Sequence, residues 1–183
     1  MKFGKSLRNE IAQALPEWEG EFISYKELKQ QLNVIVRQQT QLLTAGRRNN
    51  TGQESRSGFL ELLNSELEKV NAFFIDKEEE FIIRIKEMKD RVARPESSGE
   101  LTQIKLDLLD FHGEMVSLLR YSVLNFTGFT KIVKKHNKKI GTVFHITFMA
   151  MVLQQPFFTT ELICNLLQEC EALLNYIFLS NSP

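Results

Sequence analysis

The chain has 183 residues, and its 23 basic and 23 acidic residues give a formal net charge of zero. Its content of 43% hydrophobic and 25% charged residues is typical of one soluble globular domain with a sizeable core, and it argues against a disordered or strongly basic protein. Phenylalanine is unusually frequent, with 14 Phe against 3 Tyr, and only 4 Pro and 9 Gly interrupt the chain, so we expect long regular elements around an aromatic core.

The two cysteines and the N-terminus exclude several classes of protein. On one helix, Cys164 and Cys170 would point to different faces, too far apart for a disulfide, and their spacing matches no zinc site. We therefore predict reduced thiols and no metal, in a cytosolic or nuclear protein. The start "MKFGKSL" lacks the apolar core of a signal peptide, and no apolar run reaches the length of a membrane span.

Helical periodicity predicts two helices at the N-terminus. The first covers residues 2–15 and stops before Pro16, and the second covers residues 23–43 after the connector "PEWEGEF". The next stretch, residues 44–57, is rich in Gly, Asn, Ser and Arg, and we predict a flexible loop there.

Two long helices follow, with apolar positions in alternating steps of three and four, as in a heptad seam. The seam has one polar interruption at Lys77 and Glu78. The stretch "ARPESSGE", residues 93–100, predicts a turn, with Ser97 or Ser98 as the cap of the second helix. We expect the two helices to form an antiparallel hairpin. The apolar positions are Leu63, Leu67, Val70, Phe74, Phe81, Ile85, Met88 and Val92, then Leu101, Ile104, Leu108, Phe111, Met115, Leu118 and Leu119.

The remaining chain predicts three shorter elements. "NFTGFTKIVKKHNKKIG" predicts a separate short helix that ends at Gly141, a residue typical of the position after a helix. "VFHITF" alternates but is short and isolated, which favours the start of a helix or a loop. The last helix covers residues 161–178 and is opened by Thr159 or Thr160. We find no internal repeat and predict an all-α fold.

The stretch "KIVKKHNKK" concentrates positive charge on one side of a helix. Because each helical residue advances by about 100°, all its lysines fall within an arc of about 140°, with Ile132, Val133 and His136 on the other side. Like charges three or four residues apart oppose an isolated helix by roughly 0.2–0.5 kcal/mol per pair, and no acidic residue relieves them. The face is either solvated or an anion site, and lysine suits a ligand with many phosphates. The five lysines are Lys131, Lys134, Lys135, Lys138 and Lys139.

A second candidate lies in "SYKELK". Lys29 is four residues after Tyr25 and shares the apolar stripe of that helix with Leu32 and Val36, so its ammonium must reach either solvent or an anion. Tyr25 adds a hydroxyl donor, although a tyrosine at the edge of the core beside a lysine that extends to solvent is the more ordinary explanation of the pair. Lys26 lies outside the stripe, and we predict that it is solvated.

No catalytic or metal-binding motif is present in the sequence. His112, His136 and His145 share no metal-ligand spacing, and there is no GxSxG, HExxH, P-loop or GxGxxG motif. We therefore predict neither an enzyme nor a resident cofactor or metal.

The whole pattern resembles the SPX domain, specifically the stand-alone SPX proteins of plants. The resemblance rests on "MKFGKSL", "LPEWEGEFISYKELK", "FIDKEEEFIIRIKEMKDR", "HGEMVSLLRYSVLNFTGFTKIVKKHNKKIG" and "VLQQPFFTTELICNLLQECEALL", in that order. Only residues 44–57 and the "ARPESSGE" turn are unmatched. It implies a single SPX domain over residues 1–183, with an N-terminal helical hairpin packed on a bundle that contains two long antiparallel helices.

The resemblance also implies a function. SPX domains sense phosphate status by binding inositol polyphosphates and pyrophosphates on a basic surface. Similar stand-alone plant proteins, when loaded, bind MYB-type phosphate-starvation-response transcription factors and keep them off DNA, which implies a nuclear and cytoplasmic protein without membrane or direct nucleic-acid contact. The implied ligand residues are Lys2, Tyr25, Lys29, Lys131, Lys134, Lys135 and Lys138, together with the adjacent basic residue Lys139.

Two departures from the family pattern bear on affinity. Glu19 and Glu21 follow "PEW" where the family commonly has a basic residue, and "QQLNVIVRQQ" lacks the lysines that often continue the second helix. Both changes predict weaker binding rather than another ligand. The chain ends soon after "LLNYIFL", so we expect a sensor or adaptor without a transporter, polymerase or ubiquitin-ligase domain. The alternatives are a helical adaptor that self-associates through its heptad seam and a nucleic-acid-binding module that uses the basic helix, which the neutral net charge disfavours.

Overall fold

The computed structural model describes residues 2–45, 51–141 and 144–180. No strand occurs in these ranges, which confirms the predicted all-α class. Short 3₁₀ segments at Pro16–Glu21 and Pro156–Phe158 connect some of the helices. The helices are α1 (Phe3–Ala14), α2 (Tyr25–Thr44), α3 (Thr51–Ala93), α4 (Ser98–Ile140), α5 (Phe144–Val152) and α6 (Glu161–Ser180).

Helices α3 and α4 form the predicted antiparallel hairpin. Each has 43 residues and is therefore about 65 Å long. All eight predicted seam positions of α3 are buried, and the polar interruption is accommodated because Lys77 pairs with Glu80 at 2.6 Å. The turn is shorter than the predicted 93–100, since Ala93 and Ser98 are already helical. Of the two candidate caps, Ser97 is the one whose hydroxyl accepts a hydrogen bond, from the Glu100 N–H at 3.2 Å.

The predicted separate lysine helix is wrong, because the lysine stretch forms the last turns of α4. No proline interrupts residues 98–140, and Gly128 stays helical because it is buried against Ile23. The helix ends as predicted at Gly141, which has a left-handed conformation with φ of 72° and donates its N–H to the Asn137 carbonyl at 2.8 Å.

The predicted loop over residues 44–57 is too long. Thr44 is still in α2 and Thr51 is already in α3, while residues 46–50 lie outside the described residues. Helix propensity is a weak preference that packing overrides, and Phe59 and Leu63, both buried, extend the α3 seam toward this segment.

The N-terminal hairpin packs on the bundle through the segment that precedes α2. Helix α2 packs against α3 and α4, and α1 packs against the first 3₁₀ segment and α4. The Ile23 N–H donates to the Asn125 side-chain carbonyl at 2.8 Å, and the Tyr121 hydroxyl donates to the Glu21 carbonyl at 2.8 Å. Asn125 and Tyr121 are fully buried, so these bonds fix the entry into α2 relative to α4.

Helix α6 completes the bundle against α3 and α4. By length and composition alone, residues Glu161–Leu179 could cross a membrane. Glu169 pairs with Lys89 of α3 at 2.6 Å, and an apolar stripe faces the bundle, which are the features of a bundle helix. Both cysteines are free, as predicted, with Cys164 exposed. The buried stripe is Ile163, Leu166, Cys170, Leu174 and Ile177.

Candidate anion-binding site

Three separate segments of the chain meet beside the C-terminal turns of α4. They are the residue before α1, the first turns of α2 and the end of α4, and they line an open cleft of about 440 Å³. Phe3, Gly4 and Asn33 complete its walls. We call this the basic cleft and define it by five side chains. They are Lys2, Tyr25, Lys29, Lys135 and Lys139.

The start of α2 is held by a small polar network on α3. The Ser24 N–H donates to the Glu66 carboxylate at 2.6 Å, and the Ser24 hydroxyl accepts from the Lys69 ammonium at 3.2 Å. Lys69 also pairs with Glu66 at 2.8 Å. Because Tyr25 follows Ser24 directly, the network fixes the position from which Tyr25 and Lys29 reach the cleft.

The start of α1 forms the opposite wall around Tyr25. The Phe3 ring meets the Tyr25 ring edge-on with 4.9 Å between centroids. A Cβ at Gly4 would lie 3.1 Å from the Tyr25 ring, so glycine allows α1 to approach this closely. A tyrosine hydroxyl is a neutral donor at physiological pH, and burial raises the pKa of Tyr25 further above its usual value of 10.0.

The lysines of the basic cleft repel one another. Partial burial, followed by the charges of Lys29, Lys139 and Lys2, lowers the pKa of Lys135. These lysines come from the residue before α1, from α2 and from α4, so charges from three segments act on one ammonium group. A bound anion would reverse this shift by favouring the charged form of Lys135.

These charges have no carboxylate partner. Within the described residues, no lysine of the basic cleft forms an ion pair, and Lys139 instead donates to the Asn33 side-chain carbonyl at 2.6 Å. Basic residues elsewhere do have partners, such as Arg91, which contacts Asp107 at 2.7 Å. The basic cleft is therefore a local excess of positive charge in a neutral chain.

The other three predicted lysines lie outside the basic cleft. The Lys131 ammonium lies 5.8 Å from the centre of the Phe3 ring, at the edge of the site. Lys134 and Lys138 are exposed and do not line the cleft. The lysine face is thus wider than the cleft, and only Lys135 and Lys139 line it.

The sequence interpretation missed four contributors near this site. Phe3, Gly4 and Asn33 carry no charge pattern, and only the short motif "MKFGK" pointed to the first two. Lys26, which we predicted to be solvated, is exposed but lines a cleft with Tyr25 and Lys29.

Comparison with known proteins identifies relatives over almost the whole chain. The family model described as SPX domain matches residues 1–58 and 96–152. The chain is 46% identical to "SPX domain-containing protein 2" of Arabidopsis thaliana, over 99% of this chain and 67% of that protein. It is 47% identical to "SPX domain-containing protein 1" of the same plant, over 99% of this chain and 73% of that protein.

The fold is similar to a solved structure of the SPX domain of Chaetomium thermophilum glycerophosphodiester phosphodiesterase 1 in complex with inositol hexakisphosphate. The TM-score is 0.79 at 25% sequence identity, covering 97% of this chain and 99% of the other. The arrangement of the helices in this chain therefore matches one already observed in a solved SPX domain.

Proposed function

Because the chain belongs to the SPX domain family, we propose that it senses cellular phosphate status by binding an inositol polyphosphate or pyrophosphate in the basic cleft. The observation that carries this proposal is the basic cleft itself, where lysines from three separate segments line one cavity without a carboxylate partner in the described part of the chain. A ligand with several phosphates contacts α1, α2 and α4 together, whereas a single phosphate reaches fewer of them.

In this proposal, the basic residues contribute to anion binding to different extents. Lys2, Lys29 and Lys135 donate charge-assisted hydrogen bonds to phosphates, and the Tyr25 hydroxyl donates one more. Lys139 contributes less, because it is already bonded to Asn33. The lysines outside the cleft act by long-range attraction of the anion. These outer residues are Lys131, Lys134 and Lys138.

Calorimetry with inositol hexakisphosphate tests the ligand and the cleft. A hydrogen bond to a charged group contributes about 1.5–3 kcal/mol, so Lys29→Ala and Lys135→Ala should each weaken binding about tenfold or more. Lys134→Ala should weaken it less. The matched control is Lys86→Ala, because Lys86 is an exposed lysine of α3 that forms no ion pair with any described residue. If both cleft variants bind as tightly as the wild type, the site assignment is wrong.

The partner is a further part of the proposal. The loaded protein binds and inhibits a MYB-type phosphate-starvation-response transcription factor, in the nucleus and cytoplasm, without touching nucleic acid itself. The family resemblance supports this partner. A pulldown of the factor should require inositol pyrophosphate and fail with Lys135→Ala. Retention that ignores the ligand would leave a simple adaptor, and a gel shift of arbitrary DNA by this protein would favour nucleic-acid binding.

A further inference from the structure

A second cleft of about 410 Å³ adjoins the basic cleft. The two share Lys2, Gly4, Tyr25 and Lys29, so a molecule bound in one reaches the rim of the other. We call this second cavity the α1 cleft and define it by the residues that it does not share with the basic cleft. They are Lys5, Arg8, Asn9 and Lys26.

The α1 cleft carries three more positive charges. One face of α1 carries Lys5, Arg8 and Asn9, because Arg8 and Asn9 follow Lys5 by three and four residues. Lys26 projects from the first turn of α2. All are exposed, and in the described part of the chain none of the three cations pairs with a carboxylate. Positive charge thus continues beyond the proposed inositol phosphate site.

Arg8 gives the α1 cleft a different chemistry from the basic cleft. Among the described residues, it is the only arginine that lines either cavity. A guanidinium presents a planar fork of donors that binds two oxygens of one phosphate, whereas an ammonium acts as a point charge. A site with one fork and two flanking ammonium groups fits a single terminal phosphate better than a ring of phosphates.

We infer that the α1 cleft binds the terminal phosphate of a diphosphate on the ligand, so that Lys5, Arg8 and Lys26 favour inositol pyrophosphates over inositol polyphosphates without a diphosphate. The inference rests on the proposed function of the basic cleft. A diphosphate extends farther from the inositol ring than a monophosphate, and the shared residues Tyr25 and Lys29 make the two clefts continuous, so a diphosphate has a path from the basic cleft to these charges.

Acidic residues limit the subsite on its far side. Glu19 and Glu27 line a further groove together with Arg8 and Lys26. Their carboxylates repel an anion that moves beyond these two cations, so the attractive region ends there. The acidic Glu19, a departure from the family pattern, is therefore at the boundary of the α1 cleft and not in the basic cleft.

The test compares two ligands on the full chain by calorimetry. The ligands are inositol hexakisphosphate and a diphosphoinositol pentakisphosphate, and the measured quantity is the ratio of their Kd values. The wild type should prefer the diphosphate about tenfold or more, as expected for a bidentate contact to a charged phosphate. The double variant Arg8→Ala, Lys26→Ala should reduce this preference to about threefold or less, and Arg8→Lys should retain an intermediate preference.

The control removes the same charges elsewhere. Arg94 and Lys86 are exposed and form no ion pair in the part of the chain that the structure describes. Arg94 lies beside the start of α4, about 55 Å along that helix from Lys135. The double variant Arg94→Ala, Lys86→Ala should keep the wild-type ratio. The assignment of the subsite would be overturned if the wild type shows no preference for the diphosphate. It would also be overturned if the double variant Arg8→Ala, Lys26→Ala loses affinity equally for both ligands. Neither result would contradict ligand binding in the basic cleft. Failure of the wild type to bind either ligand would refute the proposed function as well.

Discussion

Two glycines of α4 should respond with opposite sign when each is replaced by alanine. Gly113 is exposed, and a Cβ there would meet nothing within 4 Å, so Gly113→Ala should stabilise the fold by roughly 0.5–1 kcal/mol. Gly128 is buried, and its Cβ would lie 2.6 Å from the Cγ2 of Ile23. This distance is well inside the usual carbon contact of about 3.5–4.0 Å.

The difference between the two variants isolates the cost of overpacking at Gly128. Both variants gain the same helix preference for alanine, so the gain cancels when they are compared. Forcing a methyl group into a packed core costs roughly 1–3 kcal/mol. In a chain of 183 residues each kcal/mol moves Tm by about 2–4 °C, so Gly113→Ala should melt about 2–12 °C above Gly128→Ala.

Calorimetric unfolding measures this difference, and a double variant tests its cause. In an Ile23→Ala background the obstructing Cγ2 is absent, so Gly128→Ala should become tolerated. Because Ile23 lies two residues before Tyr25, Gly128→Ala should also weaken inositol hexakisphosphate binding, while Gly113→Ala should not. Equal Tm values for the two single variants would refute the close packing of the α2 entry on α4.

Three further predictions concern the same region. Asn125→Ala leaves the buried Ile23 N–H without its partner and should lower the free energy of unfolding by about 1–3 kcal/mol in a urea titration. Thr127→Ala loses a hydrogen bond only to its own helix, so it should lower the free energy of unfolding by less. Because burial and like charges lower the pKa of Lys135 in the folded protein, the unfolded state binds more protons between that lowered pKa and 10.5. The free energy of unfolding should therefore rise with pH over this interval. Thermal unfolding of Lys135→Met should lack this part of the pH dependence. Glu19→Gln should bind a diphosphoinositol phosphate about twofold more tightly, because it removes a carboxylate at the far end of the α1 cleft. Unchanged affinity would count against Glu19 as the boundary of that cleft.

The features that the sequence predicted well are those that depend on local periodicity. Buried positions such as Phe74 and Phe111, the one-sided lysine face and the C-terminal Gly141 all follow from residues a few positions apart. The breaks between elements were overestimated, because polar or glycine-containing stretches near Thr51 and Gly128 remain helical when tertiary contacts support them.

The meeting of Tyr25 and Lys29 with Lys135 could not be obtained from periodicity, because about a hundred residues separate the two segments. It depends on the buried bond between Ile23 and Asn125, and the sequence shows Asn125 only as a polar residue in an apolar helix. The family resemblance supplied the expectation of one basic surface, and the geometry shows which side chains line the cleft.

The lysine face of α4 is wider than any one cavity, and its width has a physical consequence. Lys135 and Lys139 line the basic cleft, whereas Lys134 and Lys138 lie outside it. Charges at the rim of a site act mainly on the rate at which an anion arrives. Because exposed charges are screened beyond about 8–10 Å in physiological salt, the contribution of the outer lysines should fall as the salt concentration rises. Under the proposed function, the inner lysines are the ones that contact the bound anion, and they should govern how slowly it leaves. The repulsion among the inner lysines, expressed in the lowered pKa of Lys135, is therefore the part of the charge excess that a ligand relieves.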